Sequence, residues 1–333
     1  MSMKANIRWG ITGTGNIAHK MADTLKLFKK EGEITAVLSR SLEKGEKFAK
    51  EYKIKNVFTS LEEFAACKEL DIVYVATPHN LHKRDVLASL INRKHVLCEK
   101  SMGLNEYEVK EMNNLAKEKN LFLMEAMWTA FFPATQKMLE LIKDGKIGKV
   151  RLIDIQFCFL SQTTDNERWF NRELAGGALL DLGIYCIYLS QLIMNQYPKS
   201  IAGEAYFGKT GVDEQNAIIL KYSEGQLAVL TSSLKTQAKQ HATIYGTEGY
   251  IEIPLFYQPD YFVLRTHSGK KKKYSFKRKG TGYHYEIGQV IADLKNKTTE
   301  NSIITHQLSL DVVRIMDTIR KQWNLVYPSE HIL

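Results

Sequence analysis

Cysteine, proline and long apolar runs are all scarce in this chain, and each scarcity excludes something. Four cysteines, Cys67, Cys98, Cys158 and Cys186, stand far apart with no CxxC pair. Neither a disulfide framework nor a cysteine metal cluster is expected, and reduced thiols in a cytoplasmic setting are the simplest reading. The nine histidines include no metalloprotease-type helical pair, so no metal site is expected. Six prolines and 25% charged residues fit a compact fold and not a disordered one. No unbroken stretch of about 18 apolar residues occurs, so no membrane span is expected. The start, "MSMKANIRWGITG", runs straight into what reads as a core strand, which leaves no room for a signal peptide.

What is present is a chain of 333 residues, 44% hydrophobic, long enough for a large core and two domains. Its net charge is +9, from 46 basic and 37 acidic residues, and it is spread out except for "KKKKYSFKRK" at 270–279. Aromatic residues in a basic stretch can bind nucleic acid. The same stretch also fits a hairpin or edge strand guarded by lysines. The second reading is preferred, so the expected partner is a small molecule, with no nucleic acid and no membrane.

The first 126 residues alternate short apolar strands with helical patterns. The strands read at "NIRWGIT", "EITAVLS", "DIVYVA", "KHVLCE" and "LFLMEA". Helices are expected from Asn16 to Lys30, after Ser41 as N-cap, in "LHKRDVLASLINR" and in "NEYEVKEMNNLAKEK". Such alternation predicts parallel βαβ units and a doubly wound sheet, an α/β domain over 1–126. From 127 to 333 the pattern changes. A helix in "ATQKMLELIKDGKIG" precedes long alternating strands, with hairpins turning at Glu224-Gly225 and Glu248-Gly249. That is antiparallel patterning, so the second domain should be α+β, closed by helices at Tyr285–Lys297 and His306–Trp323.

"GITGTGNIA" places Gly13, Gly15 and Ala18 in a G-x-G-x-x-A pattern between a strand and a helix. Glycines there let a pyrophosphate approach the backbone at the positive end of the helix, so Gly13, Thr14, Gly15, Asn16 and Ile17 are the expected cofactor loop. The competing reading is a tight strand-to-helix turn with no ligand. After the second strand an NAD site usually carries an acid. Here the residues are Ser39, Arg40 and Ser41. An arginine with hydroxyls can hold a 2′-phosphate, which favours NADP over NAD; Arg40 can equally be an ordinary exposed loop residue.

Residues 176–189, "GGALLDLGIYCIYL", read as a buried helix that carries one acid, Asp181, and one phenol, Tyr185. On an α-helix, residues four apart share a face, so the two can point together. They fit either a satisfied core pair or a pair of reacting groups. Lys100, directly after Glu99 at the end of an expected parallel strand, fits a surface salt bridge as well as it fits a site.

Taken together, "GITGTGNIA", "VATPHNLH", "CEKSMG", "MEAMWTAFFPA", "GGALLDLGIY", "GTEGYIEI" and "GYHYEI" resemble the Gfo/Idh/MocA oxidoreductases over essentially the whole chain. Within that family the chain looks most like the branch of dimeric trans-1,2-dihydrodiol dehydrogenases and NADP-dependent xylose dehydrogenases. The resemblance implies an N-terminal Rossmann domain, a C-terminal domain on a large open sheet, and a homo-oligomer (dimer or tetramer) joined through that sheet. It implies hydride transfer between nicotinamide C4 and a sugar, polyol or vicinal dihydrodiol carbon.

By the same resemblance Lys100 takes the place of the lysine in the family's E-K-P motif, and Asp181 and Tyr185 match its D-x-x-x-[H/Y] positions. Tyr185 would exchange the hydroxyl proton. A free tyrosine ionises near pH ~10, so a nearby cation is needed, and Lys100 is the candidate. Asp181 would orient that lysine or bind a substrate hydroxyl. Trp128 is expected against nicotinamide or substrate, Arg168 and Trp169 against the cofactor, and Tyr283 at the substrate mouth. Thr77, Pro78, His79, His82 and Glu99 are expected on the cofactor side, with His82 either a structural hydrogen-bonding residue or a base. Ser101 stands where the family has proline, which leaves the backbone at Lys100–Ser101 open. Two other readings stay open: a nucleotide-sensing protein without catalysis, and an imine or pyrrole reductase.

Overall fold

A computed structural model of the chain describes residues 6–162, 168–278 and 280–331. The chain divides into two compact units, one of residues 1–128 and 279–309, the other of 129–278 and 310–333.

The first unit is built on strands β1 (Ile7–Thr12), β2 (Gly32–Leu38), β3 (Asn56–Phe58), β4 (Ile72–Val75), β5 (His95–Glu99) and β6 (Leu123–Ala126). They form one sheet in the order β3-β2-β1-β4-β5-β6, every pairing parallel. This is the strand order of dinucleotide-binding sheets, whose ligands sit beyond the carboxyl ends of the strands where the order reverses. Here the reversal falls between β1 and β4. Helices α1 (Asn16–Leu25), α2 (Leu42–Tyr52), α3 (Leu61–Ala66), α4 (His82–Ile91) and α5 (Glu106–Lys119) connect the strands. The central strands read as apolar runs because both faces are covered: Trp9, Ile11, Val73, Val75, Val96 and Leu97 are fully buried.

Local signals set the helix ends. The Ser41 hydroxyl accepts from the Lys44 N–H at the start of α2, and the Asn105 side chain accepts from the Glu108 N–H at the start of α5. α5 has Glu106 and Glu108 in its first turn and Lys117 and Lys119 in its last, which suits the helix dipole. α1 is shorter than its pattern suggests, giving way to a 3-10 turn at Lys26–Phe28. β3 was not expected; at three residues it is too short to show a period.

The second unit contains α6 (Pro133–Lys143), β7 (Val150–Cys158), α7 (Ile184–Met194), β8 (Ser200–Phe207), β9 (Asp213–Lys221), β10 (Leu227–Ser233), β11 (His241–Gly246), β12 (Gly249–Pro254), β13 (Tyr261–Thr266) and β14 (Lys271–Ser275). Their order is β14-β13-β12-β11-β7-β10-β9-β8. Only the β7–β10 pairing is parallel among the described strands. Both expected hairpins are present, and the lysine-rich stretch is edge strand β14, where charge discourages pairing with another sheet. Lys279, its last residue, lies outside the described residues. Side chains alternate across the sheet: Asn216, Ile218 and Leu220 point inward while Gln215, Ala217, Ile219 and Lys221 face out. α7 packs on β7 and β10 on the inner face.

One sequence expectation is corrected. Residues 279–309, expected in the second domain, belong to the first unit. Helix α8 (Tyr283–Lys295) buries Ile287, Val290, Ile291 and Leu294, and packs on α1. The first turn of α9 (His306–Gln322) is tied in as well: the His306 ring bonds the Leu123 carbonyl at 3.0 Å, and Asn113 donates to the His306 carbonyl at 3.2 Å. The helical stretch Arg172–Met194 reaches the length and hydropathy of a membrane span (23 residues, mean hydropathy 1.5). Within it, 78% of the most apolar window is buried, as in a helix apolar all round at the centre of a fold.

Candidate active site

In the first unit the expected cofactor loop follows β1. Gly13 has φ +91°, a conformation L residues rarely adopt, and a Cβ there would lie 3.0 Å from the Ala76 carbonyl oxygen. Beyond it Gly15 and Asn16 are exposed, and nothing lies within 4 Å of where a Gly15 Cβ would sit. Gly15 is also the N-cap of α1, which has no side-chain cap and no acid in its first turn. The first amides of α1 are therefore open to an anion. Thr14 and Ile17 are half-buried. After β2, Ser39 is buried and accepts from the Ser41 N–H at 3.4 Å. Arg40 is exposed and forms no ion pair with the described residues.

The loops after β4 and β5 are sewn together. His79 Nε2 lies 3.1 Å from the Lys100 carbonyl oxygen. The fully buried His82 ring reaches the Ser101 carbonyl oxygen with Nδ1 (2.7 Å) and the Thr77 carbonyl oxygen with Nε2 (2.8 Å). That is the structural hydrogen-bonding alternative of the sequence reading. The Thr77 hydroxyl donates to the buried Asp85 at 2.9 Å, and Pro78 caps the short turn that leads into α4. The peptide bond between Lys100 and Ser101 is cis. Ser101 donates to the Gly103 carbonyl at 2.7 Å, and the Met102 N–H donates to Glu125 at 2.8 Å. The Lys100 side chain is half-buried.

Beneath Lys100, Glu99 accepts a short hydrogen bond from the buried Tyr74 hydroxyl. A second buried acid, Glu286 of α8, faces the same place. Burial, and then the Glu99 charge, hold its carboxyl well above the usual carboxylate range, and its Oε1 has no hydrogen-bond partner. Burial followed by Glu99 likewise pushes the Tyr74 phenol up. Trp128 is buried and stacks on Tyr283, ring centroids 4.3 Å apart and 7° from parallel, with Lys20 over the outer face of Tyr283 at 5.8 Å.

In the second unit the acid and the phenol occupy different kinds of helix. Leu179–Gly183 is a π turn, and α7 begins at Ile184. A turn hydrogen-bonded i→i+5 alters the spacing assumed for an α-helix, and such turns concentrate at functional sites. Asp181 is buried and accepts from Arg168 at 2.6 Å. Arg168, expected against the cofactor, thus meets the acid, and its guanidinium lies 5.1 Å from the centre of the Trp169 ring. From Ala175 to Gln191 every residue is buried except Tyr185. Its ring meets Phe157 edge-on at 5.4 Å and Tyr257 at 6.4 Å, and those two stack on each other at 4.5 Å.

Sequence reasoning missed Asp213, Glu286, Phe157 and Tyr257. Glu286 lies inside the quoted "GYHYEI", three residues after Tyr283, so its helical face was readable. Asp213 gave no signal beyond an acid at the start of an apolar strand.

Residues 7–127 match the family described as "Oxidoreductase family, NAD-binding Rossmann fold", and residues 135–252 match the "GFO/IDH/MocA C-terminal domain". The chain is 34% identical over 332 residues to a trans-1,2-dihydrobenzene-1,2-diol dehydrogenase of Xenopus laevis, covering 96% of this chain and 99% of that one. It is 32% identical over 330 residues to the scyllo-inositol 2-dehydrogenase (NADP(+)) IolU of Bacillus subtilis (strain 168), covering 97% and 99%. In fold it is similar to the 3-ketoreductase KijD10 of Actinomadura kijaniata, solved with NADP and TDP-benzene, with a TM-score of 0.85 at 20% identity over 95% and 97% of the two chains. The parallel nucleotide-binding sheet, the large second sheet and this identity over nearly the full length lead to one conclusion: the chain belongs to the Gfo/Idh/MocA oxidoreductases.

Proposed function

We propose that this chain is an NADP-preferring dehydrogenase of CH–OH groups, acting on vicinal dihydrodiols, polyols or aldoses, with Tyr185 as its acid/base. The observation that carries the reading is the placement of Tyr185. In a helix start that is otherwise buried from Ala175 to Gln191, Tyr185 alone is only half-buried, and its ring lies beside aromatic rings. A structural tyrosine in such a segment would be expected to be buried with its neighbours. The names of the relatives from Xenopus laevis and Bacillus subtilis support a dihydrodiol or an inositol as the kind of substrate.

The residues present fit a dinucleotide. The open space at Gly15 and the uncapped start of α1 suit a pyrophosphate. Exposed Arg40 beside the Ser39 and Ser41 hydroxyls suits a 2′-phosphate. When bound, the nicotinamide supplies the carbon that accepts or donates hydride. Tyr185 takes the substrate hydroxyl proton in oxidation and returns it in reduction. Lys100 is the cation that favours the phenolate. Asp181, held by Arg168, accepts a hydrogen bond from a neighbouring substrate hydroxyl, and the Phe157–Tyr257 pair offers an apolar surface to the ring that carries it.

The outward face of the second sheet shows Ile219, Leu227 and Tyr245, an apolar surface suited to a second copy of the chain, and a homo-oligomer through that sheet is part of the proposal. Free thiols at Cys67, Cys98, Cys158 and Cys186 suit a cytoplasmic setting.

The test is nicotinamide reduction followed by absorbance, with NADP or NAD and a panel of trans-dihydrodiols, inositols and pyranoses. Turnover with NADP is expected, falling by roughly 10²–10⁴-fold in Tyr185→Phe. Full activity in that variant would remove Tyr185 from the mechanism. NADP binding without turnover on any substrate would favour a nucleotide-sensing protein.

A further inference from the structure

A buried acid that the proposed chemistry does not use lies directly under the helix start. Asp213, the first residue of β9, is fully buried. Its Oδ2 accepts from the Leu179 N–H and from Asn216 Nδ2, both at 2.8 Å. The Ser232 hydroxyl on β10 donates to Asn216 Oδ1 at 2.9 Å and lies 3.4 Å from the Ala178 carbonyl oxygen. Side chains from two strands thus grip an N–H and a carbonyl at the first residues of the π turn. On the other side of the carboxyl, a Cβ at Gly177 (φ +127°) would fall 2.3 Å from Asp213 Oδ1. That oxygen has no hydrogen-bond partner among the described residues. Asp181 follows two residues after Leu179.

We infer that Asp213 is a positioning residue of the reaction: it sets the start of the helix that carries Asp181 and Tyr185, and its charge acts against that of Asp181. This rests on the site proposed above. A glutamine or serine could accept the same hydrogen bonds without the penalty of a buried charge. What the acid adds is a second charge state. The groups around it come from several elements. Asp181 acts on it from the π turn and is itself paired with Arg168. Tyr327 faces it from the C-terminal segment, bonded to the Gly176 carbonyl at 2.9 Å and with Arg320 over its ring. Asn216 and Ser232 face it from the strands, and the adjacent Glu214 is turned to Lys235 at 3.0 Å. Burial, opposed by the Asn216 and Leu179 donors and reinforced by the Asp181 charge, pushes the carboxyl up to about 7. When Asp213 is neutral, it sets no charge against the Asp181 carboxylate that Arg168 binds. When Asp213 ionises, a second negative charge stands against that of Asp181, and the repulsion disfavours the ionised carboxylate that Arg168 binds.

The experiment uses the full chain with saturating NADP and trans-1,2-dihydrobenzene-1,2-diol, or the fastest substrate of the panel above. kcat and KM are measured across neutral pH for wild type, Asp213→Asn, Asp213→Ala and Ser232→Ala. Wild type should show an inflection in kcat/KM near pH 7 that Asp213→Asn lacks, with most of the change in KM. Asp213→Ala removes every acceptor and should lower kcat/KM by up to about 100-fold, the scale of a misplaced reacting group. Ser232→Ala frees Asn216, weakens a donor to the carboxylate and should move the inflection to higher pH. An Asp213→Asn enzyme that keeps the wild-type inflection overturns the inference. If Asp213→Asn does not fold, an unmoved inflection in Ser232→Ala overturns it just as well. Tyr185→Phe is run alongside: an active Tyr185→Phe sinks the proposed site, whereas an inactive one beside an unaltered Asp213→Asn profile sinks only the role of Asp213.

Discussion

Removing Arg168 should take from a buried carboxylate the cation bound to its Oδ1, and the size of that effect can be worked from the geometry. Arg168 Nη2 lies 2.6 Å from Asp181 Oδ1, the Asp181 side chain is fully buried and that of Arg168 is 35% exposed. Breaking a buried pair from one side costs about 3–5 kcal/mol. The exposure of Arg168 screens the pair, which puts Arg168→Met near the lower end, at about 3 kcal/mol. Asp181→Asn should cost less, about 1 kcal/mol, because the freed guanidinium can reach water. Arg168 also stacks over Trp169, and methionine loses that contact as well. The double variant Arg168→Met/Asp181→Asn separates the two effects, since the stacking loss is common to both arms of the cycle. The double variant should be more stable than the sum of the singles predicts by about 2 kcal/mol. The assay is urea unfolding with the slope m held constant across the four proteins. Additive losses, within about 0.5 kcal/mol, would refute the ion pair as an energetic unit.

Arg40→Ala should raise the KM for NADP by about 10–100-fold, the scale of hydrogen bonds to a charged group, and leave that for NAD nearly unchanged; an equal effect on both cofactors would return Arg40 to the ordinary loop residue of the alternative reading. Glu286→Gln should stabilise the protein at neutral and alkaline pH but not in acid. The carboxyl is held above its ordinary value, so its folded form is favoured while protonated, and that advantage is lost as pH rises from the unfolded value through the folded one. Thermal unfolding of both proteins across that range checks it: a variant less stable at high pH would mean that Glu286 works as an anion.

The strand and helix alternation of the first unit was legible because its elements are long, apolar on both faces and punctuated by caps such as Ser41 and Asn105. Antiparallel alternation likewise exposed the hairpins of the second. The assignment of residues 279–309 to the first unit was not legible. α8 has an ordinary amphipathic stripe, and a stripe states that it packs without saying on what. The contacts that decide it, α8 on α1 and His306 on Leu123, join residues far apart in the chain.

The same limit divides the candidate site. Motif residues could be named because each is tied to a local pattern: glycines between strand and helix, an arginine after a strand, an acid and a phenol inside an apolar helix. Partners could not be named, since partnership is a matter of register. Asp181 was expected to orient Lys100 or to bind a substrate hydroxyl; within its own unit it also meets Arg168, brought to it by the backbone bond from the Gly177 N–H to the Trp169 carbonyl at 2.8 Å. Asp213 lies 34 positions beyond the amide it caps. Nothing in "GVDEQNAII" distinguishes it from Glu214 beside it, which reaches Lys235 instead. Strict strand alternation would put Glu214, not Asp213, on the face of Asn216; the register shift against β8, where Tyr206 pairs with Gln215 and Phe207 with Asp213, breaks that alternation and leaves both acids buried. The apolar stretch from Ala175 to Gln191 is therefore asked to do two jobs whose signals interfere: as core it buries every residue but Tyr185, and as the proposed site it needs buried charge held from outside its own sequence.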